Sequence, residues 1–319
     1  MIFLIPIVSF VVSFVVFPIM IPRFKKAGIV GKNMNNSIQE EIPEMGGLIT
    51  AVGFGAGIVF AIFLRTFCNM FHLTSLTSIL AALTTVLIVV IIGIFDDLIS
   101  IRQSIKAFMP AFAALPLMAI KDGYSLMRIP CIGLINFGVF YPLVLIPLGI
   151  TGAANAANML AGFNGLEAGM GIVIVVSLSI IAYSLGEMTA LIILIAAFGA
   201  LLATLYYNWY PAKVLVGDVG TLSIGAIVAT AVIIGSFETA GIVIVIPYAV
   251  DFLIKAKNKF PYSFGIYRDG KLYCPDNRPV GLCQLIMKVF GGISERNLVL
   301  VLMGIEAVFG AVAVLLYVV

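Results

Sequence analysis

Charge is scarce in this chain: only 10% of its 319 residues are Asp, Glu, Lys or Arg. Histidine is nearly missing, with His72 alone, and the four cysteines (Cys68, Cys131, Cys274, Cys283) form no Cys-x-x-Cys pair. Soluble domains carry about 25% charged residues, so this composition cannot cover an ordinary water-exposed surface. Without a histidine pair or paired cysteines, zinc sites, histidine-based triads and a disulfide framework are excluded. The formal charge of +3 is too small and too dispersed for a nucleic-acid binder. Chemistry must come from carboxylates, amides, lysine and arginine.

Apolar residues make up 62% of the chain. A single hydrophobic core stops growing at roughly 250–300 residues, so the excess must face a lipid bilayer. A bilayer crossing takes about 20 helical residues. Uncharged runs of that kind occur at 1–22, 45–64, 73–95, 107–120, 129–166, 168–186, 188–212 and 219–237. Two more apolar stretches, 239–254 and 297–319, contain one acid each (Asp251, Glu306). The expectation is an all-α polytopic membrane protein of about ten transmembrane helices, forming one domain over 1–319. The fourth and ninth spans are the weakest. Residues 1–22 have neither a basic start nor a small-residue cleavage site and read as a retained span. No internal repeat or low-complexity linker interrupts the pattern.

Ten spans divide the loops into two sets. All the basic residues except Arg65, Lys121 and Arg128 fall in loops that follow odd-numbered spans. By the positive-inside rule those loops are cytoplasmic and both termini lie on the opposite side. A miscounted span would mix the two sets, so the asymmetry also supports the count. The longest cytoplasmic loop, 258–296, carries alternating aromatic and apolar residues around Asp269-Gly270, in the order Phe264, Ile266, then Leu272, Cys274, which predicts a short β-hairpin with a type I′ turn. Beyond Pro279, Leu282, Leu285, Ile286 and Val289 recur at helical spacing with Gln284 and Lys288 opposite, predicting an interfacial helix.

Three polar clusters interrupt the apolar background, all in cytoplasmic loops. Asp96 and Asp97 end span three, followed by Lys106; such acids can hold a cation, act as a base, or only terminate a span. Residues 155–169, NAANMLAGFNGLEAG, are dense in amides and glycines. Asn155, Asn158, Asn164 and Glu167 offer oxygens to a hard cation and donor–acceptor pairs to a base edge, while Gly162 admits close backbone approach. Helix capping and tight turning are the alternative. Finally, Asp218 opens span eight within Val216-Gly217-Asp218-Val219-Gly220-Thr221, where free N–H groups suit an anion and the acid suits a metal or a plain cap. Magnesium is typically held by one or two protein oxygens plus substrate phosphates, with Lys106 and Arg278 available to balance charge. No Walker-type Gly-x-x-x-x-Gly-Lys is present.

In this order and on one face, these clusters resemble the polyprenyl-phosphate N-acetylhexosamine-1-phosphate transferases. The segment at 155–169 is similar to the eukaryotic and archaeal branch, the UDP-N-acetylglucosamine:dolichyl-phosphate N-acetylglucosaminephosphotransferases. The bacterial phospho-N-acetylmuramoyl-pentapeptide transferases usually have Asp-Gly where this chain has Ala161-Gly162. GKNMN at 31–35, IPEMGG at 42–47, FDD at 95–97 and NWYPAKVLVGDVGT at 208–221 add to the match. The resemblance implies transfer of N-acetylglucosamine-1-phosphate from UDP-N-acetylglucosamine to a polyprenyl phosphate such as dolichyl or undecaprenyl phosphate, releasing UMP. It implies Mg2+, with Mn2+ as a substitute, held by Asn158 and Asp218, and Lys106 on the diphosphate. Asp96 and Asp97 would position the lysine or acceptor, with a base or covalent role for Asp97 open. Gly162 and Asn164 would meet the uracil, with Met34 at its edge; Glu44 matches a position near the active site. Asn155, Glu167 and Arg278 complete the substrate-binding set. Cys274-Pro275-Asp276-Asn277-Arg278 replaces the Cys-Pro-Arg-His-Arg of eukaryotic relatives, so only Arg278 keeps the basic pattern. The family also implies a homodimer in the cell membrane or the endoplasmic-reticulum membrane, according to organism. A carrier of nucleotide sugars or lipid phosphates is the competing class; it calls for mid-membrane ionisable groups and a repeat, and Glu306 is the clearest such group here.

Overall fold

The computed structural model describes residues 2–35, 41–71, 74–120, 126–129 and 133–318. His72, Lys121, Cys131 and the side chain of Arg128 lie outside that set. Among the described residues, nine helical segments are long and apolar enough to cross a membrane, and a bent pair makes a tenth. The chain is an all-α, multi-pass membrane protein, because a backbone in lipid must satisfy its polar groups internally.

The first three spans are single helices, α1 (Leu4–Lys26), α2 (Gly46–Phe67) and α3 (Leu76–Ile99). Arg23, Lys25 and Lys26 close α1, where cations complement the helix dipole. The fourth span, Gln103–Ile120, is broken into α4 (Gln103–Phe108), α5 (Pro110–Ala113) and α6 (Leu115–Ile120). Pro110 and Pro116 each remove a donor and crowd the preceding turn, which is why this span reads weakly. It starts earlier than expected, so Lys106 sits within its first helix rather than in the loop. The fifth span is a correction: residues from 129 do not continue as helix. A hairpin of β3 (Leu126–Ile129) and β4 (Gly133–Asn136) comes first. A π-helical stretch, Tyr141–Leu145, then leads into α7 (Ile146–Met159).

The remaining spans are α8 (Leu166–Ser184), α9 (Met188–Asn208) and α10 (Gly217–Gly235), then the pair α11 (Glu238–Ile244) and α12 (Ile246–Lys257), and lastly α14 (Glu295–Val318). A bend of 54° separates α11 from α12, with Pro247 at its start. Between α1 and α2, β1 (Val30–Lys32) pairs antiparallel with β2 (Glu41–Pro43). The last loop forms the expected hairpin, β5 (Ile266–Arg268) with β6 (Lys271–Tyr273). Its turn residues Asp269 and Gly270 both have positive φ, 48° and 78°, as a type I′ turn requires. The short helix α13 (Leu282–Val289) follows. Its orientation differs from expectation: Gln284 is buried and Val289 is 73% exposed. Gln284 turns inward because its amide donates to the Phe264 carbonyl at 2.8 Å and its oxygen accepts from Val280 N at 2.9 Å.

α10 is the central helix, buried along most of its length. Two glycines set how closely its neighbours approach. A Cβ on Gly93 of α3 would lie 2.3 Å from the Val219 Cα, and one on Gly225 of α10 would lie 2.2 Å from the Ala153 carbonyl oxygen of α7. Large apolar side chains on the outward faces, such as Phe63, Phe112 and Leu148, remain exposed, as surface meeting lipid does.

Candidate active site

The close packing of α3, α7 and α10 brings the three polar clusters together at one end of the bundle. Asp96 points one way from the end of α3 and Asp97 another. The Asp96 carboxylate accepts from Ile101 N at 2.8 Å and meets the Lys106 ammonium at 2.5 Å. Lys106 in turn lies 2.6 Å from Asp218. The amide of Asn158, in the last turn of α7, bonds Asp218 and reaches the Thr221 hydroxyl at 2.7 Å. A row Asp96–Lys106–Asp218–Asn158 therefore runs across α3, α4, α10 and α7. Asp96 and Lys106 are buried, whereas the Asp218 side chain is 34% exposed.

Asp97 does something else. Its two carboxylate oxygens accept from the backbone N–H groups of Asp218 at 2.7 Å and Val219 at 3.1 Å. It caps the start of α10 from a different helix, satisfying donors that a helix N-terminus leaves free. Asp218 is thus not the cap of its own helix but the residue that Asp97 positions.

In front of Asp218 opens a polar cavity of about 220 Å3. Its walls are the Gly31–Met34 stretch, Glu44, residues 161–164, Glu167, Asn208, Leu215–Asp218, Thr221 and Phe264. Burial, and then the neighbouring Asp218 carboxylate, push Glu44 above the ordinary carboxylate range. The amide-rich loop is held by side chains from across the fold. Gly162 N donates to Glu167 at 2.7 Å, Gly162 O accepts from Asn35 at 2.7 Å, Asn164 N donates to Glu295 at 2.8 Å, and Gly165 N donates to Asn208 at 3.0 Å. Gly162 has φ +104°, and a Cβ there would meet the Phe264 ring at 2.9 Å. Among the described residues, the buried Asn35 Oδ1, Asn164 Nδ2 and Glu295 Oε2 have no hydrogen-bond partner. Each such atom costs about 1–3 kcal/mol, so the loop region is built to receive polar groups.

A second cavity of about 340 Å3 lies farther along the same helices, lined by α7 (Gly149, Gly152, Ala153), α10 (Val228, Val232, Ile233) and α11 (Gly241, Ile242), among others. Its lining is apolar apart from the hydrogen-bonded pair Tyr141 and Glu238. Ala153 is about 8 Å up the helix from Asn158, by the 1.5 Å rise per residue.

The profile of glycosyl transferase family 4 matches residues 79–236, which span α3, α7, the amide-rich loop and α10. A Saccharolobus solfataricus protein is 38% identical over 98% of this chain and 96% of its own length. The chain belongs to this family. The Saccharolobus protein is provisionally named a UDP-N-acetylglucosamine:dolichyl-phosphate N-acetylglucosaminephosphotransferase. A Dictyostelium discoideum enzyme of that name is 27% identical, over 86% of this chain and 78% of its own. The phospho-N-acetylmuramoyl-pentapeptide-transferase of Streptococcus mutans is 29% identical, over 77% and 76%.

For this family 4 chain, Met34, Glu44, Gly162, Asn164, Glu167 and Asp218 line the polar cavity, with Asp96, Asp97, Lys106 and Asn158 directly behind Asp218. Two expected residues are elsewhere. Asn155 spends its amide on the carbonyls of Ala107 at 2.9 Å and Thr151 at 2.8 Å, tying α7 to the turn after Lys106. Arg278 is exposed beyond the 3-10 turn Pro275–Asn277 and outside the cavity lining. Residues not singled out from the sequence include Asn35, Asn208, Thr221, Phe264 and Glu295. The first three lie in recognised motifs, so their polar side chains were the available signal. Phe264 counts in the sequence only as part of the hairpin pattern, and Glu295 stands alone; neither carries a signal for the site.

Among the described residues, no three His, Cys, Asp or Glu side chains converge as metal ligands. The donor set still fits a magnesium ion of the kind completed by substrate phosphates: Asp218 is partly exposed to the cavity, Asn158 and Thr221 adjoin it, and a cation, the Lys106 ammonium, already rests on this carboxylate.

Proposed function

We propose that the protein transfers N-acetylglucosamine-1-phosphate from UDP-N-acetylglucosamine to a polyprenyl phosphate of the dolichyl type, giving the lipid diphosphate sugar and UMP. The observation that carries this reading is the juxtaposition, on α7 and α10, of a carboxylate–lysine–amide row at a polar cavity with an apolar cavity farther along the same two helices. The names of the Saccharolobus and Dictyostelium relatives supply the donor and acceptor. The positive-inside pattern supports a reaction on the cytoplasmic face, with both termini opposite.

In this reading the acceptor's phosphate oxygen forms a bond to the β-phosphorus as the bond from that phosphorus to the bridging oxygen breaks, and UMP leaves with that oxygen. A phosphate monoester is largely ionised near neutral pH, its second pKa being about 6, so no strong protein base is needed. Lys106, held by Asp96, faces the diphosphate and offsets its charge. Asp97 fixes Asp218 by anchoring the start of α10. Gly162, Asn164, Asn35 and Met34 receive the uridine, and Phe264 forms the wall facing Gly162. Asp218 and Asn158, with Thr221, would hold Mg2+, which supplies charge neutralisation on the diphosphate. The apolar cavity takes the first part of the prenyl chain. Positioning and electrostatics then supply the rate, as in other phosphoryl transfers.

The test is UMP release by purified protein given UDP-N-acetylglucosamine, a short dolichyl phosphate and magnesium, beside Asp218→Ala and a chelator. Release that needs the lipid and disappears in both controls is expected. No release with any UDP-N-acetylhexosamine, together with unaltered UDP-sugar crossing vesicles, would overturn the reading in favour of a carrier.

A further inference from the structure

Asp251 and Lys255 stand one turn apart on α12, both buried, with carboxylate and ammonium 2.8 Å apart. Neither belongs to the row around Asp218. Each serves a helix end. The Lys255 ammonium donates to the carbonyl of Met159, the last residue of α7. The Asp251 carboxylate accepts at 2.7 Å from the N–H of Leu282, the first residue of α13, where Gly281 at the cap position has no side chain to offer. A cation at a C-terminus and an anion at an N-terminus both match the helix dipoles.

Both ends lead to residues at the polar cavity. Met159 adjoins Asn158 and leads into the amide-rich loop. α13 carries Gln284, which holds the Phe264 backbone, and the Phe264 ring lines the cavity against Gly162. A buried ion pair is weak as a device for stability, because desolvation offsets most of its attraction. Its geometry here has a definite product, the fit of the amide-rich loop against Phe264.

We infer that Asp251 and Lys255 are a positioning pair for the transfer reaction, holding the Asn158 end of α7 and the last cytoplasmic loop in register with each other at the donor cavity. The inference rests on the function proposed above. Lys255 acts through Met159 on Asn158, and Asp251 acts through α13 and Gln284 on Phe264.

The test compares wild type, Lys255→Met, Lys255→Arg and the double variant Asp251→Asn/Lys255→Met in UMP release, UDP binding and thermal melting. The double variant leaves no uncompensated buried charge and keeps an acceptor for Leu282 N, so it folds even if Lys255→Met alone does not. The expected result is a double variant melting like wild type whose kcat/KM for the UDP-sugar is down on the order of 10²-fold, the loss that a misplacement of about 1 Å brings. Its KM for the lipid acceptor stays within about twofold, since the apolar cavity is elsewhere on α7, and Lys255→Arg, which keeps a cationic donor, recovers most of the loss. A folded double variant with wild-type kcat/KM overturns the inference, as does an equal loss in both substrates' KM with no recovery by arginine. A wild-type protein that neither binds UDP nor releases UMP overturns the functional reading first, and the inference with it.

Discussion

Asp97 separates a structural from a chemical account of the adjacent acids. If its work is to cap α10, removing the carboxylate leaves the N–H groups of Asp218 and Val219 unpaired, and Val219 is fully buried. Hydrogen bonds to a charged group contribute about 1.5–3 kcal/mol each, and lost caps cost about 0.5–2 kcal/mol. Asp97→Ala should therefore destabilise by about 3 kcal/mol. At about 2 °C per kcal/mol for a large chain, its melting temperature in detergent falls by about 6 °C. Asp97→Asn keeps one accepting oxygen but turns an NH2 towards the second N–H, so it should lose about half as much and retain turnover within about tenfold, a barrier change of ~1.4 kcal/mol. Gly217→Ala reaches the same bonds from the other side. Its Cβ would sit 2.7 Å from the Asp97 carboxylate in a residue with φ +73°, and its phenotype should follow Asp97→Ala. The assay pairs thermal melting with lipid-dependent UMP release. A general base predicts the opposite signature, a loss of about 10²–10⁴-fold in rate without loss of stability. Finding that signature in Asp97→Asn would refute the capping account.

The apolar cavity can be filled at Gly152, where a Cβ meets nothing within 4 Å. Gly152→Phe should raise KM for a long prenyl acceptor severalfold and leave KM for the UDP-sugar unchanged; equal effects on both would remove the cavity from acceptor binding. Gly162→Ala places a Cβ 2.9 Å from the Phe264 ring at φ +104°, and should weaken UDP binding about tenfold or more, the loss expected for about 1.4 kcal/mol of strain and displacement. Calorimetric titration with UDP that finds wild-type affinity would show that the loop tolerates the change. Glu44 holds its proton to higher pH in the folded protein than its ordinary value of 4.5. Its contribution to stability is accordingly full below about pH 4.5 and is lost as pH rises through the folded-state value. Glu44→Gln should flatten that part of the melting-temperature profile, and an unchanged slope would mean that another group titrates there.

The membrane class, an architecture of about ten spans and the polar clusters that the fold brings together were legible in the residues, for a physical reason in each case. A run of about 20 uncharged residues in lipid has only the helix available to it. Asp269-Gly270 dictates a type I′ turn because both positions must reach positive φ, and the structure has that turn. Pro110, Pro116 and Pro247 sit in the two spans that read weakly, and the structure breaks the one and bends the other.

The partnerships were decided by tertiary packing. Lys106 and Asp218 are 112 positions apart, and only the close approach of α3, α7 and α10 makes them neighbours. Asp96 and Asp97 are chemically alike and adjacent, yet successive positions on a helix point about 100° apart, so one meets Lys106 and the other the start of α10. Asn155 and Arg278 have the right chemistry in the right motifs, but depth and direction put them outside the cavity, while Phe264 reaches its lining from the last loop and Glu295, from the last span, holds the Asn164 backbone behind it. Local composition and periodicity determine which segments leave water and which residues can react. The facing of one helix against another depends on how side chains of distant segments interlock, and that information exists only once the chain has folded.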